Sequence, residues 1–467
     1  MYTHLSSRVR VLAAALLIAA PVFAADLDGN ALLNLLVRKG IVTEGEAARL
    51  RSEVSSPAPA AGRPAETPKS KISQLPDSVT AVKISGDFRG RFEENNADES
   101  SYSTRDRYRY RLRLGATMSF VDNFDVGVRF ASGNPLFNPG GTLVGGAPIT
   151  ANQDFNSLES RKFLWIDAAY ARWTPIKNEA SKVSATFGKM DNPFALSPMV
   201  WDADIDPEGG ALQFDHKIND QHAIRATAAF FVLDEINQGI GAVPSLRPTD
   251  DPYVYGGQVS LESKWSPALE TSVGVAGFDI INKGSLSSKV QPYYNSGTSR
   301  DPVTGVLKYP MRPLIGTASA TWKVPQFPLY AGSFPIKVSG EYMKNNGARS
   351  ENRAYRVGVG LGKAGRQHAW EFNYRYQRLE ADAWFDALVD DDNGAFYMTG
   401  NAQLIGTGKA NGWFGGTNVK GHWFQATYSL TDYLNLTFTG YFNKLILNAP
   451  AGKSDAGHFF ADLMWRF

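Results

Sequence analysis

Cysteine is absent from the 467 residues. That excludes a disulfide scaffold and a thiolate metal site, and it fits an exported protein. Beyond the first 24 positions no apolar run reaches the ~18 residues that a membrane-spanning helix needs. Histidine is scarce: of six, His4 lies in the leader, and His216, His222, His368, His422 and His458 show no H-E-x-x-H zinc spacing. A G-x-S-x-G nucleophile elbow is missing as well. The expectation is therefore a chain with no catalytic residues, no metal and no cofactor. An excess of one charge sign is also lacking. The 48 Lys and Arg, less Arg8 and Arg10 of the leader, balance 46 Asp and Glu, so the global basicity of a nucleic-acid binder is absent.

What is present begins with Met1 to Ala24. Arg8 and Arg10 precede the apolar core V-L-A-A-A-L-L-I-A-A, and Val22 and Ala24 stand at the −3 and −1 cleavage positions, the pattern of a secretory signal peptide. Residues 25–55 read as two short helices. Leu32, Leu33, Leu35, Leu36 and Val37 form the first apolar stripe, closed by Gly40, and Thr43-x-x-Glu46 caps the second. Such a pair is expected to be a periplasmic hairpin that packs on itself or a neighbour, or an oligomerisation or anchoring element. Residues 56–78, rich in Pro and Ala, read as a linker, and residues 79–467 as one domain.

That last stretch has period two. In Arg105 to Phe120, R-D-R-Y-R-Y-R-L-R-L-G-A-T-M-S-F, five arginines alternate with Tyr108, Tyr110, Leu112 and Leu114. Side chains of a strand alternate between its faces, so one face is guanidinium and the other apolar. A wall with lipid outside and water inside suits such a strand, and without spanning helices only a closed barrel satisfies every backbone polar group in lipid. The pattern predicts about 16 strands, from Val79 to the last residue, where Phe459, Ala461, Leu463, Trp465 and Phe467 share a face. Short turns, such as Asp122-Asn123 and Thr431-Asp432, alternate with long segments around 133–161, 190–210, 234–252, 282–313 and 381–420, the layout of an outer-membrane barrel. The fold expected is all-β, a transmembrane antiparallel barrel with a short helical prefix.

The motifs L-L-x-x-L-V-R-K-G-I-V-T-E-G-E-A, I-S-G-D-F-R-G-R-F-E, R-Y-R-L-R-L-G-A, G-K-M-D-N-P-F and W-D-A-D-I-D-P-E-G-G resemble those of the putative porins of Gram-negative bacteria. The resemblance implies a porin-like barrel in the outer membrane, in contact with lipid and lipopolysaccharide. Porin analogy adds a homotrimer. No particular solute is implied.

A channel wall selects through rows of charge. Arg89, Arg91, Arg105, Arg107, Arg109, Arg111 and Arg113 are the candidates, read either as a track that attracts anions or as braces paired with Asp87, Glu93 or Asp125. In the third long segment Asp191, Asp202, Asp204, Asp206 and Glu208 read as an inward constriction loop facing that basic wall. An external loop binding cations that bridge lipopolysaccharide is the other reading. Asp202-x-Asp204-x-Asp206 begins like a calcium loop, but Pro207 and Gln213 stand where its glycine and bidentate Glu belong. Asp390, Asp391 and Asp392 form a further acidic cluster. The function these residues point to is passive diffusion of ions and small hydrophilic solutes. The rivals are an outer-membrane hydrolase and a non-conducting barrel that tethers the envelope.

Overall fold

The computed structural model describes residues 44, 75–97, 104–138, 140–236, 250–289, 295–397, 412–447 and 455–467. The chain divides into Met1–Gln74 and Leu75–Phe467, and the elements given below belong to the second unit. The expected signal peptide, the helical hairpin apart from Glu44, and most of the linker lie outside the described residues.

Sixteen antiparallel strands form one closed wall. They are β1 (Val79–Ala97), β2 (Arg105–Phe120), β3 (Phe124–Ser132), β4 (Leu164–Lys177), β5 (Ser181–Lys189), β6 (Glu208–Lys217), β7 (His222–Val232) and β8 (Tyr253–Ser266), followed by β9 (Leu269–Ile281), β10 (Pro313–Val324), β11 (Phe334–Asn345), β12 (Arg353–Gly362), β13 (Trp370–Leu379), β14 (Val419–Ser429), β15 (Leu434–Leu445) and β16 (Ala456–Arg466). Each pairs with its neighbour in sequence, and β16 returns to β1. The expected strand number and antiparallel order are what the wall shows. Closure leaves no edge strand exposed to lipid.

One rim consists of tight turns whose residues suit them. Asp122 and Asn123 take positive φ of 61° and 57°, which these two residue types tolerate and hairpin turns demand. Asn178 and Asn219 each accept two backbone N–H groups of their own turns through Oδ1. On the outside, alternate residues such as Val126, Val128, Val259, Val275, Val338 and Val357 are apolar and exposed, the arrangement that hydrocarbon accepts. At the seam, Gly86 and Phe467 exchange backbone hydrogen bonds of 2.9 and 3.1 Å. A Cβ on Gly86 would lie 2.5 Å from the Arg113 carbonyl and 2.6 Å from the Phe467 ring, so only glycine fits there.

The other rim carries the long connections, and several of them fill the interior. The third loop (residues 190–207) crosses to the opposite wall. There Ser197 Oγ donates to Glu341 on β11 at 3.0 Å, and Gln258 on β8 exchanges hydrogen bonds of 2.8 and 3.1 Å with the backbone of Ala195. The seventh loop (residues 380–418) meets it. Trp384 Nε1 donates to the Val200 carbonyl at 2.8 Å, and the Asp202 N–H donates to the Leu388 carbonyl at 2.7 Å. Met199, Val200, Trp201, Trp384, Phe385 and Leu388 pack with inward residues of β7 to β13, among them Phe231, Phe278, Ile315 and Leu379, as the main apolar core. A buried Arg300–Asp386 pair at 2.7 Å ties the fifth loop (residues 282–312) to the seventh. The core therefore sits inside the wall, on one side of it.

Candidate functional site

The opposite side of the interior is charged. Along β1 and β2 the register sets Asp87 beside Arg113, Arg89 beside Arg111, Arg91 beside Arg109, Glu93 beside Arg107 and Asn95 beside Arg105. The alternate residues stack outside, with Phe88 and Tyr110 centroids 6.4 Å apart and Phe92 and Tyr108 centroids 5.4 Å apart. Strand alternation alone thus gathers the arginines on the inner face.

Most of them are braced. Arg91 donates to both oxygens of Asp462 on β16, at 2.7 and 2.9 Å, with its guanidinium 4.0 Å from the Phe460 centroid. Glu93, fully buried, accepts from Arg107, from Arg109 Nη1 at 3.0 Å and from His458 Nε2 at 2.9 Å. Arg109 Nε lies 2.7 Å from Asp154 of the second loop. Arg111 and Arg113 share Asp87, at 3.0 and 2.7 Å. Arg105 is exposed at the loop end of β2. Arg89 differs: its Nη2 donates to Asn152 Oδ1 at 2.7 Å, and among the described residues no carboxylate stands within ion-pairing distance of it. Asp125, expected as a brace, accepts instead from Ser119 Oγ at 2.6 Å.

The acidic loop residues face this wall. Asp204 Oδ1 lies 3.4 Å from Arg111 and 4.0 Å from Arg113. Asp191 and Asp206 both bind Arg129 on β3, Asp191 at 2.6 Å, together with Asp167 on β4. Glu208 belongs to β6 rather than to the loop. It pairs with Lys189 at 3.1 Å, because the two strands stay in register up to that position. The predicted loop end at Gly210 is thus corrected to 207.

Two loops bring a carboxylate cluster together. Oxygens of Asp202, Asp390 and Asp391 lie within 4.8 Å of one another, and among the described residues these three are the group that could hold a metal ion. Oxygens of Asp202 and Asp390 have protein donors already. Asp202 accepts from the N–H of Asp204 at 2.7 Å and of Asp391 at 3.2 Å, and Asp390 from Arg375 at 3.0 Å. Burial and mutual repulsion push Asp202 and Asp391 well above the usual carboxylate range. Burial also acts on Asp204, but Arg111, Arg89 and Arg113 outweigh it and hold that carboxyl below the usual range. Asp206 is pushed up to about 7, chiefly by burial, since Arg129 is shared among three carboxylates.

Arg129, Asp154, His458 and Asp462 were not singled out from sequence. Arg129, His458 and Asp462 sit at inward positions of alternating strands, a signal open to anyone who writes out the faces. Asp154 lies on a two-residue strand inside the second loop, for which alternation gives no cue.

Residues 96–304 match the family model described as a putative porin, the family the sequence motifs resemble. What the structure itself shows of the chain is the fold, a closed antiparallel barrel of 16 strands. Similar solved structures include OprB of Pseudomonas putida at high pH, with 10% identity, a TM-score of 0.48, and coverage of 83% of this chain and 94% of that one. OmpF of Salmonella typhi, in complex with daunomycin, has 11% identity, a TM-score of 0.45 and coverage of 83% and 97%. A Rhodopseudomonas blastica porin mutant has 8% identity, a TM-score of 0.39 and coverage of 83% and 100%. No curated protein matches.

Proposed function

We propose that this protein is an outer-membrane channel for passive diffusion of ions and small hydrophilic solutes, with its long loops outside the cell and its N-terminal segment in the periplasm. One observation carries the reading: a sealed wall, apolar outside, encloses a row of ion-paired charges that faces an inward acidic loop. A solvated gap between fixed charges of both signs passes hydrated species and needs no energy source. Transport rather than catalysis is the chemistry such a gap supports.

The predicted arginine track is read here in two parts. Arg91, Arg107, Arg109, Arg111 and Arg113 meet carboxylates directly and act as braces, whereas Arg89, with no carboxylate within ion-pairing distance among the described residues, offers the least compensated positive charge to the lumen. The anion bias is accordingly modest and rests on Arg89. In planar bilayers the purified protein gives discrete conductance steps, and reversal potentials in a KCl gradient favour chloride. Arg89→Gln reduces that preference, while Arg113→Gln, which releases carboxylate charge at Asp87 and Asp204, reduces it through the opposite term. Strong cation preference in the unmodified protein would remove the role of Arg89, and absence of steps would leave a non-conducting barrel.

A further inference from the structure

The loop-bearing mouth contains two separate hollows. One, of about 930 Å³, is lined by Arg105, Arg107 and Arg109 and lies above the basic wall. The other, of about 980 Å³, lies on the far side of Ile149 and Asn295, which border both. Asn295 is fixed there by hydrogen bonds of 2.9 and 2.8 Å to the carbonyls of Asp386 and Val389, so the partition is built into the loops.

The second hollow has an apolar floor. Trp201, Phe231, Leu286, Phe385 and Leu388 line it and are all buried in the fold. Its rim is acidic: among the described lining residues Asp206, Glu208, Asp234 and Glu235 stand against one cation, Lys189. Asp206 is committed to Arg129. Lys189 is held by the Asp206 carbonyl at 2.9 Å and Glu208 at 3.1 Å. Glu208, which also meets Lys189, and Glu235 are exposed at the rim above the apolar floor. The hollow also reaches from inward Phe231 to Phe230 on the outer face, so it opens across the rim of the wall.

We propose that this chamber binds amphipathic organic cations. Its volume suits an organic molecule. The apolar floor takes the apolar surface of such a molecule, and the exposed carboxylates attract its charge and repel anions of the same shape. A purely hydrophilic cation gains only the rim. The site does not depend on the selectivity of the arginine wall.

Tetraphenylphosphonium and tetraphenylborate, isosteres of opposite charge, test this directly, with tetramethylammonium as the hydrophilic control. In equilibrium dialysis against the full-length protein in detergent, the phosphonium is retained and the Glu208→Gln/Glu235→Gln variant weakens that retention at least about five-fold. Binding of the borate is unchanged or strengthened by the same variant, and tetramethylammonium is not retained. The same binding appears in bilayers as brief closures induced by the phosphonium. Equal effects of the variant on both isosteres, or none on either, overturn the proposal. A heat-modifiability gel reports whether the double variant folds; if it does not, Glu235→Gln, at an exposed position, replaces it with the same two criteria. Dialysis reads the chamber whether or not the barrel conducts, so failure of the site and failure of the channel reading are distinct results.

Discussion

Glu93 is a buried carboxylate that accepts from two arginines and a histidine, and its surroundings set the cost of disturbing the wall. Removing one partner of a buried pair leaves charge uncompensated, at about 3–5 kcal/mol. Arg109→Gln, which strips both Glu93 and Asp154, should therefore lower the urea midpoint far more than Arg113→Gln, whose side chain is a quarter exposed. Folded and unfolded fractions on a heat-modifiability gel provide the measurement. Asp206 supplies a pH prediction. Its folded value is raised to about 7, so the folded state binds the proton more tightly and stability rises as pH falls through 7. The gain is complete below the ordinary carboxylate range. Between pH 8 and 5.5 the urea midpoint should increase, and Asp206→Asn should remove that part of the increase. An identical slope in the variant would show that Asp206 is not the titrating group.

At the level of elements, the seam and the inward loops make different predictions. Gly86→Val pushes a side chain into the Arg113 carbonyl and the Phe467 ring, so the β1–β16 pairing cannot form as described. The expected result is loss of folded barrel, read as loss of the heat-modifiable band, whereas Gly90→Val, with open space around its Cβ, is tolerated. Trp384→Ala empties the centre of the loop core, worth about 3–5 kcal/mol for a buried aromatic, and frees the Val200 carbonyl. Single-channel conductance and its noise should both rise. An unchanged trace would mean that the third and seventh loops do not limit the current. These elements were unequally legible in sequence. Strands with polar residues on one face, such as β1, β2 and β16, announced both their period and their orientation. The loop ends of β7 and β9 did not, because A-A-F-F-V and F-D-I-I carry apolar residues on both faces: one set meets lipid and the other meets the loop core. Alternation alone cannot reveal a hydrophobic interior supplied by distant loops.

For the molecule as a whole, closure and strand number followed from period two together with the alternation of short and long connections. The charged wall followed from the arginines. What sequence left open was the pairing across hundreds of residues: Arg91 with Asp462, Glu93 with His458, Asp202 with Asp390 and Asp391. Ring closure creates the first two contacts and loop convergence the third, and neither has a local signature. The one-sided core has a consequence for how such a protein could change. Packing occupies the β7 to β13 flank, so under the proposed function the permeant column is eccentric and hugs a short arc of the circumference. Retuning its preference would need replacement of a single cassette, the inner faces of β1, β2 and β16, while most of the scaffold could stay fixed.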